Sequence, residues 1–296
     1  MKKAPVTPKG FRDITPELAK KRREVIDKII DVYEEFGFLP IETPTIEFAE
    51  TLTGKYGEEE RLIYKFTDRG GRELALRFDL TVPLARYVAF NNPPLPFRRF
   101  QLGQVFRGEN PQKGRWREFT QLDLDTVGST DLAEDAKIVA VAINAVKAAG
   151  IANPVMAIND RKNFEGLPKD AVVALDKLDK IGEEGVIKEM EGKNIKDAGT
   201  ILANIRNKIP TQNLQTIFNH LKNLGISDNE YKFVSTLARG LNYYTGSIFE
   251  LRAPSYGNLS LGAGGRYDNL IGMFSKKSLP AVGFSVGIDR LVDALE

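Results

Sequence analysis

The chain has 296 residues, with 42 Lys and Arg, 40 Asp and Glu, one His and no Cys. That length allows one large domain or two smaller ones, and a hydrophobic fraction of 42% is ordinary for a soluble globular protein. Without Cys there is no zinc–cysteine site, iron–sulfur cluster or thiol nucleophile, and one His excludes a multi-histidine centre, so we predict no metal site. No apolar run approaches the roughly 20 residues of a membrane helix, and the N-terminus has no apolar signal segment. We therefore expect a cytoplasmic chain that contacts no membrane.

A helix, a β-hairpin and a second helix are predicted in the first 90 residues. A helix begins after the capping residue Thr15 and ends at Gly37, since apolar residues recur at helical spacing between them. Two short apolar runs, 62–66 and 74–78, flank the sequence DRGG, which is typical of a hairpin turn because Gly tolerates a positive φ. A second helix is expected to begin at Thr81.

Two strands are predicted at 97–106 and 116–127, joined by a polar loop that we expect to be mobile. Three polar side chains share one face of the second strand with Phe119, namely Gln121, Asp123 and Asp125. A strand face packed on a hydrophobic core would not carry an amide and two carboxylates. This face is therefore predicted to line a site or to meet water.

Residues 160–230 are rich in Lys, Asp and Asn, with helical patterns at 168–181 and 214–224. We interpret this segment as a small helical insertion domain. Strands and Gly-rich turns resume after it, and a final helix is expected from about Asp289. Many strands with helices bunched between them indicate an α+β fold with an antiparallel sheet. The predicted domains are a core of residues 1–159 and 231–296 and the insertion domain of residues 160–230.

The net charge of +2 is unevenly distributed, because residues 97–119 hold six basic and two acidic residues with five aromatic residues among them. Arg guanidinium groups bind phosphate in a planar, bidentate geometry, and several of them near one point would orient a triphosphate. Arg107 ends the first strand, and Arg115 precedes its partner strand. We therefore favour an anion site here over a solvated basic turn.

Four other segments carry polar or Gly-rich patterns, each with a plainer alternative. Asp79, in RFDLT, is a good helix cap, and on its own that interpretation is preferred. Tyr243 and Tyr244 beside Arg239 could hold a small polar ligand, or could belong to a strand and hairpin turn. The sequence GAGGRYDNL lacks the spacing of a P-loop or dinucleotide site; it permits close approach of a flat ligand or simply turns the chain. Arg290 lies near a helix N-terminus, where a basic residue indicates an anionic partner or else an ordinary surface side chain.

Together these segments resemble a known family. FRGENPQKGRWREFTQLDLDTVG and AVGFSVGIDRL are similar to motifs 2 and 3 of class II aminoacyl-tRNA synthetases, the first in its histidyl form. LARGLNYYTG and GAGGRYDNL resemble the two histidine-specific signatures of histidyl-tRNA synthetases, and PKGFRD and RFDLTVPLARY also match. Each motif alone is weak, but they occur in the expected order over essentially the whole chain.

The resemblance implies a six-stranded antiparallel class II sheet flanked by helices, in a homodimer. It implies ATP-dependent activation of histidine to histidyl-adenylate, with Mg²⁺ accompanying the ATP, and transfer of histidine to the 3′ end of tRNA(His). The substrate's carboxylate is the nucleophile, so no protein nucleophile is needed. Catalysis would rest on positioning and charge stabilisation.

The residue roles implied by the resemblance are likewise expectations. Arg107 would hold the ATP α-phosphate. Arg239 would contact the same phosphate from the other side, together with the histidine carboxylate. These two are the expected catalytic residues. Arg290 would hold the γ-phosphate near adenine and Arg115 the outer phosphates, with Glu109 beside adenine or ribose. The remaining expected contacts are Asp79, Thr81 and Gln121 with the histidine α-amino group, Asp125, Tyr243 and Tyr244 in the histidine pocket, and Gln112 and Lys113 with the tRNA acceptor end.

Three features depart from the family pattern. Asn242 stands where Asp is common, which removes a negative charge, and Asn110 stands where some bacterial members have Arg. Family members also continue past motif 3 into an anticodon-binding domain of roughly a hundred residues, a typical small-domain size. This sequence ends at Glu296, so we expect an excised catalytic domain or a natural minimal enzyme, without anticodon contacts.

A rival interpretation is the histidine-sensing regulatory subunit of ATP phosphoribosyltransferase, a paralogue of the same fold that does not charge tRNA. Such paralogues tend to lose the ATP-binding arginines. This sequence keeps Arg107, Arg115, Arg239 and Arg290, together with the hairpin loop for the acceptor stem. A degenerate tRNA-binding or scaffold domain is disfavoured for the same reason, and we therefore favour the catalytic domain of a histidine–tRNA ligase.

Overall fold

The computed structural model describes residues 5–112, 114–240, 243–257 and 259–295. The α-helices are α1 (Pro16–Glu35), α2 (Ala49–Leu52), α3 (Thr81–Asn91), α4 (Leu132–Ala148), α5 (Lys169–Leu175), α6 (Leu178–Gly192), α7 (Ala198–Arg206), α8 (Gln212–Asn223) and α9 (Ile288–Asp293). The strands are β1 (Leu39–Pro40), β2 (Ile46–Phe48), β3 (Lys65–Thr67), β4 (Glu73–Leu76), β5 (Phe97–Phe106), β6 (Glu118–Val127), β7 (Val155–Asp160), β8 (Tyr231–Phe233), β9 (Ser247–Arg252), β10 (Ser260–Arg266) and β11 (Ala281–Gly287).

Eight strands form the large sheet, in the order β1-β5-β6-β11-β10-β9-β7-β8. Every neighbouring pair from β5 to β7 is antiparallel, whereas β1 and β8 lie parallel to β5 and β7 at the two edges. The predicted α+β class is confirmed. The expected six-stranded antiparallel sheet is present, as the centre of a larger, mixed sheet. The two edge strands were not predicted, because they have only two and three residues and are too short for a pattern of alternation.

Most of the elements predicted before residue 130 are confirmed. Helix α1 begins directly after Thr15, whose Oγ1 accepts a hydrogen bond from the Leu18 amide at 3.4 Å. Strands β3 and β4 pair around the DRGG turn, where Gly71 has a φ of 77°. Helix α3 begins at Thr81, as expected, and β6 begins two residues later than predicted, at Glu118.

The 160–230 segment contains helices α5 to α8, but its first predicted helix is wrong as a single element. Helix α5 ends at Leu175, α6 begins at Leu178, and Gly182 inside α6 has a non-helical φ of 69°. The second pattern agrees with α8. Helices α5, α6 and α7 share a hydrophobic cluster with α3, whereas α8 packs against α4 beneath the large sheet.

The main core lies on one face of the large sheet, beneath α1, α4, α8 and α9. Leu122 and Leu124 of β6 belong to this core. Because strand side chains alternate, the polar residues between and beside them, Gln121, Asp123 and Asp125, lie on the opposite face. Over the described ranges, no helix is both long enough and apolar enough to cross a membrane.

Candidate active site

The polar face of β6 is buried. Gln121, Asp123 and Asp125 are at most 9% exposed. Arg99 of β5 and Gly283 of β11 lie directly opposite Asp125 across the sheet, and Ser285 of β11 lies opposite Asp123. Charged groups are rarely buried without partners. Their burial excludes the alternative that this face meets water, whereas its role in lining a site stays a prediction.

Asp125 is held by side chains from both neighbouring regions of the sheet. The fully buried guanidinium of Arg99 forms an ion pair with Oδ2 at 2.7 Å, and the Tyr267 hydroxyl donates to Oδ1 at 2.5 Å. Burial raises the pKa of Asp125, although both neighbours favour the ionised carboxylate. Gly283 leaves room for this carboxylate, because a Cβ at that position would overlap Oδ1.

Asp123 supplies a second buried carboxylate. Burial raises its pKa to about 7, since the attraction of Arg99 is partly offset by the like charge of Asp125. Ser285 hydrogen-bonds the Asp123 carboxylate and accepts from Gln121 Nε2 at 2.6 Å. Oδ1 of Asp123 and Oε1 of Gln121 have no hydrogen-bond partner in the described part of the chain. Buried polar atoms are normally paired, so both oxygens are available to a ligand.

Asp79 combines a cap with a free acceptor. Its Oδ1 accepts from the Thr81 and Val82 amides at 3.2 and 3.0 Å, and from the Tyr56 hydroxyl at 3.1 Å. Asp79 therefore caps the first turn of α3, but from the residue before the N-cap position, which Leu80 occupies. The other oxygen, Oδ2, is buried and has no hydrogen-bond partner among the residues described. Burial raises the pKa of this carboxyl, while Arg107 is among the groups that oppose the rise.

The two tyrosines of the LARGLNYYTG segment lie against this corner. A hydrogen bond joins the side chains of Tyr243 and Thr81, and the rings of Tyr243 and Tyr244 are 4.8 Å apart. Burial raises the pKa of Tyr244 to about 12, and the nearby Arg239 opposes that rise. The Arg239 Nη1 donates to Glu250 Oε2 at 3.0 Å. The two tyrosines therefore lie close to Asp79 and Thr81, with Arg239 beside Tyr244.

The expected phosphate-binding arginines also converge. Burial lowers the pKa of Arg290, and the proximity of Arg115 and Arg107 lowers it further. Arg290 donates to two backbone carbonyl oxygens at 3.1 Å each. Arg107 lies 4.4 Å from the centre of the Phe78 ring, while Arg115 pairs with Glu109 at 3.2 Å. Like charges held this close repel one another, and a bound anion would relieve that repulsion.

The N-terminal motif PKGFRD joins the loop after β5 to α9. Arg12 donates to Asp289 Oδ1 and lies 4.5 Å from the centre of the Trp116 ring. The Gly10 carbonyl accepts from the Arg117 amide at 2.8 Å. Gln112 is exposed and forms a tight backbone turn with Arg115 in this loop. Two residues singled out in the sequence, Lys113 and Asn242, lie outside the described residues.

The sequence predicts no role for Arg99, Tyr267 or Glu250, and it places Asp123 on the polar strand face without a role of its own. Arg99 belonged to the basic segment and Asp123 to the polar strand face, so both had a signal without a role. Glu250 had a signal too, because it is the one acid in the apolar run SIFEL and an acid in such a run is usually paired. Tyr267 gave none beyond its place in the Gly-rich motif.

Comparisons with known proteins agree on one family. The family described as Histidyl-tRNA synthetase matches residues 10–212 and 187–291. The histidine–tRNA ligase of Aeropyrum pernix is 41% identical and is matched over 98% of this chain and 74% of its own length, and that of Nanoarchaeum equitans is 42% identical over 97% and 73%. The solved histidyl-tRNA synthetase from Nostoc sp. PCC 7120 superposes with a TM-score of 0.83 at 31% identity, covering 99% of this chain and 76% of that one. A structure from Bacillus halodurans, described as an ATP phosphoribosyltransferase regulatory subunit/histidyl-tRNA synthetase, superposes with a TM-score of 0.81 at 29% identity, covering 98% and 83%.

Proposed function

The chain belongs to the histidyl-tRNA synthetase family, and from that premise we propose that it activates histidine with ATP and transfers it to tRNA(His). The observation that carries the proposal is a cluster of arginines next to a set of buried carboxyl groups. Arg107, Arg115 and Arg290 form a cationic cluster, and Arg107 also acts on the buried Asp79 carboxyl. A triphosphate and an amino acid could therefore meet where the two adjoin.

The cationic cluster would bind ATP. We assign the α-phosphate to Arg107, the outer phosphates to Arg115 and the γ-phosphate to Arg290, with Glu109 on the adenine or ribose side. The support is that three arginines share one region and that backbone and aromatic contacts hold two of them in place. Guanidinium groups fixed in this way would bind the triphosphate with little loss of side-chain entropy.

The region around the buried carboxyl groups of Asp79, Asp123 and Asp125, which we call the carboxylate pocket, would bind histidine. The free Oδ2 of Asp79 and Oε1 of Gln121 are acceptors suited to the α-amino group, and Thr81 lies beside them. Asp125, Tyr243 and Tyr244 are assigned to the part of the pocket that receives the imidazole ring. A site built to hydrogen-bond a polar side chain rejects apolar analogues, because its buried polar groups would then be left unpaired.

In the first step a histidine carboxylate oxygen would attack the α-phosphorus, and the bond from that phosphorus to the bridging oxygen of the β-phosphate would break, releasing pyrophosphate. Negative charge grows on the phosphoryl oxygens during this displacement. Arg107 and Arg239, which we assign to opposite sides of the α-phosphate, would stabilise that charge. In the second step a hydroxyl at the 3′ end of tRNA would attack the adenylate carbonyl carbon and release AMP.

Mg²⁺ is proposed to bind together with ATP. In the described ranges there is no group of three or more His, Asp or Glu side chains placed to hold a metal ion. Mg²⁺ usually retains several waters and binds substrate phosphates rather than an all-protein cage, so phosphate oxygens are its expected ligands here. Bound there, it would neutralise part of the triphosphate charge.

The tRNA acceptor end is assigned to the loop after β5. Gln112 is exposed there, close to the arginine cluster through its turn with Arg115, and Lys113 is its sequence neighbour. We further propose that residues 160–230 form an insertion domain in a catalytic core of residues 1–159 and 231–296. The reaction consumes tRNA and ATP, and we propose that it takes place in the cytoplasm.

We also propose that two copies of the chain pair through the three-stranded sheet β2-β4-β3. The register of that sheet places Ile46, Phe48, Phe66, Leu74 and Leu76 on one face. Three of these apolar side chains are 39–51% exposed. Contiguous exposed apolar surface is typical of an interaction site, and a twofold pairing uses the same patch on both partners.

Replacing Phe48 with Glu is expected to convert a dimer into a monomer, because it introduces a charge into the apolar face of the proposed interface. Sedimentation equilibrium measures the result against the chain mass of 33.0 kDa. Phe90→Glu is the matched control, since Phe90 is 81% exposed on α3 and lies outside this face. A wild-type chain that sediments as a monomer would contradict the proposal.

Gly283→Ala is expected to raise the KM for histidine by roughly tenfold or more, because the new Cβ would displace the Asp125 carboxylate. The KM for ATP should change little. Steady-state ATP–pyrophosphate exchange at varied histidine measures both. The control is Gly199→Ala, where a Cβ would meet no atom within 4 Å; an equal effect of the two substitutions would count against the pocket assignment.

The direct test of the proposed function is histidine-dependent ATP–pyrophosphate exchange with Mg²⁺, assayed with each of several amino acids. Exchange with histidine alone supports the ligase. Histidine binding by calorimetry without exchange would instead support the regulatory-subunit interpretation. Transfer to tRNA(His) is then measured separately with labelled histidine.

A further inference from the structure

Arg239 has one edge anchored and another edge free. Its Nη1 donates to Glu250, whereas Nε is buried without a hydrogen-bond partner within the described part of the chain. The Nε–Nη2 edge of a guanidinium is a two-pronged donor that matches phosphate or carboxylate oxygens. The contact with Glu250 thus orients the side chain and leaves this edge available.

Glu250 is well placed to hold an arginine rigidly. It lies on β9, inside the antiparallel centre of the large sheet, and is 9% exposed. Oε2 accepts from Arg239, while Oε1 accepts from Arg252 Nε at 2.7 Å. Each carboxylate oxygen is therefore paired with a different arginine, which fixes the rotation of the carboxylate.

The pairing continues into the helical segment. Arg252 Nη2 donates to Asp179 of α6 at 2.5 Å, and Asp176, directly after α5, accepts a hydrogen bond from the Gly240 amide next to Arg239. The backbone before Arg239 is fixed from the other side, because Asn159 Nδ2 donates to the Leu237 carbonyl at 3.0 Å. Contacts from the sheet and the helical segment thus meet at this arginine.

We infer that Glu250 is a positioning residue for adenylate formation, which orients Arg239 so that its Nε–Nη2 edge faces the reacting phosphate and carboxylate. This inference rests on the proposed function. Glu250 itself would touch neither substrate. Its effect would pass entirely through Arg239, and misplacement of a charge-stabilising group by about 1 Å is enough to cost on the order of 100-fold in rate.

The test uses Glu250→Gln, which keeps the size and one oxygen acceptor but loses the charge. We expect kcat for histidine-dependent exchange to fall on the order of 10- to 100-fold, with the KM values for histidine and ATP within about threefold. Asp179→Asn is the matched control, because it breaks only the outer end of the chain of ion pairs and should leave kcat within about twofold. Glu250→Asp, which keeps the charge but shortens the side chain, should give an intermediate kcat, and it carries the test if Glu250→Gln does not fold.

A double-mutant cycle separates positioning from a general structural role. In an Arg239→Lys background, which lacks the planar fork, adding Glu250→Gln should change kcat by less than about twofold. Equal losses of kcat in both backgrounds would overturn the inference, and so would a Glu250→Gln enzyme with wild-type kcat. In either case, exchange by the wild-type enzyme would still support the proposed function. A wild type without exchange would overturn both.

Discussion

Arg239→Ala is expected to lower kcat for histidine-dependent ATP–pyrophosphate exchange by roughly 100- to 1000-fold, the range seen when one preorganised donor to a developing negative charge is removed. In the structure Arg239 is held by Glu250 and lies beside Tyr244 at the edge of the carboxylate pocket. No other described arginine combines those contacts. Single-turnover formation of the adenylate, followed by rapid quench, measures the chemical step directly.

The substitution should slow the chemical step and have little effect on substrate binding. Histidine binding by calorimetry should weaken only modestly, because the acceptors assigned to the amino group lie on Asp79 and Gln121. Arg206→Ala is a suitable control, since Arg206 is half-exposed and pairs with Glu183 on the surface. Near-wild-type exchange in the Arg239→Ala enzyme would reject the catalytic assignment.

Asp123→Asn is expected to stabilise the protein at pH 8. The folded protein must carry an ionised carboxylate there in a fully buried position, whereas the unfolded chain exposes it to water. Burial raises the pKa of Asp123 from 3.8 to about 7. A pKa that differs by one between the folded and unfolded states changes the free energy of unfolding by about 1.4 kcal/mol, so the gain would approach about 4 kcal/mol.

The gain should depend on pH in a defined direction. Well below the unfolded-state pKa of 3.8 the carboxyl is protonated in both states, and Asp and Asn should then behave alike. As the pH rises towards 7, the unfolded chain releases the proton before the folded one, so wild-type stability falls relative to the variant. Urea unfolding at a series of pH values from 4 to 8 measures this difference.

An exposed aspartate provides the control for that series. Asp27→Asn, on the outer side of α1, should change the free energy of unfolding by less than about 0.5 kcal/mol throughout. A destabilised Asp123→Asn protein at pH 8 would show that the carboxylate is needed to balance Arg99. A variant that is more stable and binds histidine more weakly would show that the buried carboxylate serves binding at the expense of stability.

The local patterns of this sequence predict local structure well. Thr15 marks the start of α1 because capping is a matter of adjacent residues, and the DRGG turn fixes the β3–β4 hairpin for the same reason. The polar alternation along β6 also predicts that Gln121, Asp123 and Asp125 lie on the face away from the hydrophobic core. In each case the deciding interactions lie within a few residues along the chain.

The contacts that the sequence did not predict depend on which strands become neighbours in the sheet. In the sequence Arg99 is one of six basic residues in a basic segment. The β5–β6 register instead places it against Asp125, where it has no exposed surface. Nothing within β5 encodes that register, because it follows from pairing with a strand some 20 residues away. The contact between Glu250 and Arg239 likewise forms only when the loop of Arg239 folds back onto β9. The family resemblance predicted neither this contact nor the one between Arg99 and Asp125.

The position of β11 has a consequence for how the chain is made. This strand follows all the other sheet strands in the sequence, yet it lies between β6 and β10 in the middle of the sheet. Until it is synthesised, β6 and β10 each present an unpaired edge, and edges of this kind readily recruit other chains. The buried carboxylates of β6 would also lack the strand that covers them. During translation the half-made sheet therefore depends on protection from association until residues 281–287 have emerged and closed the gap.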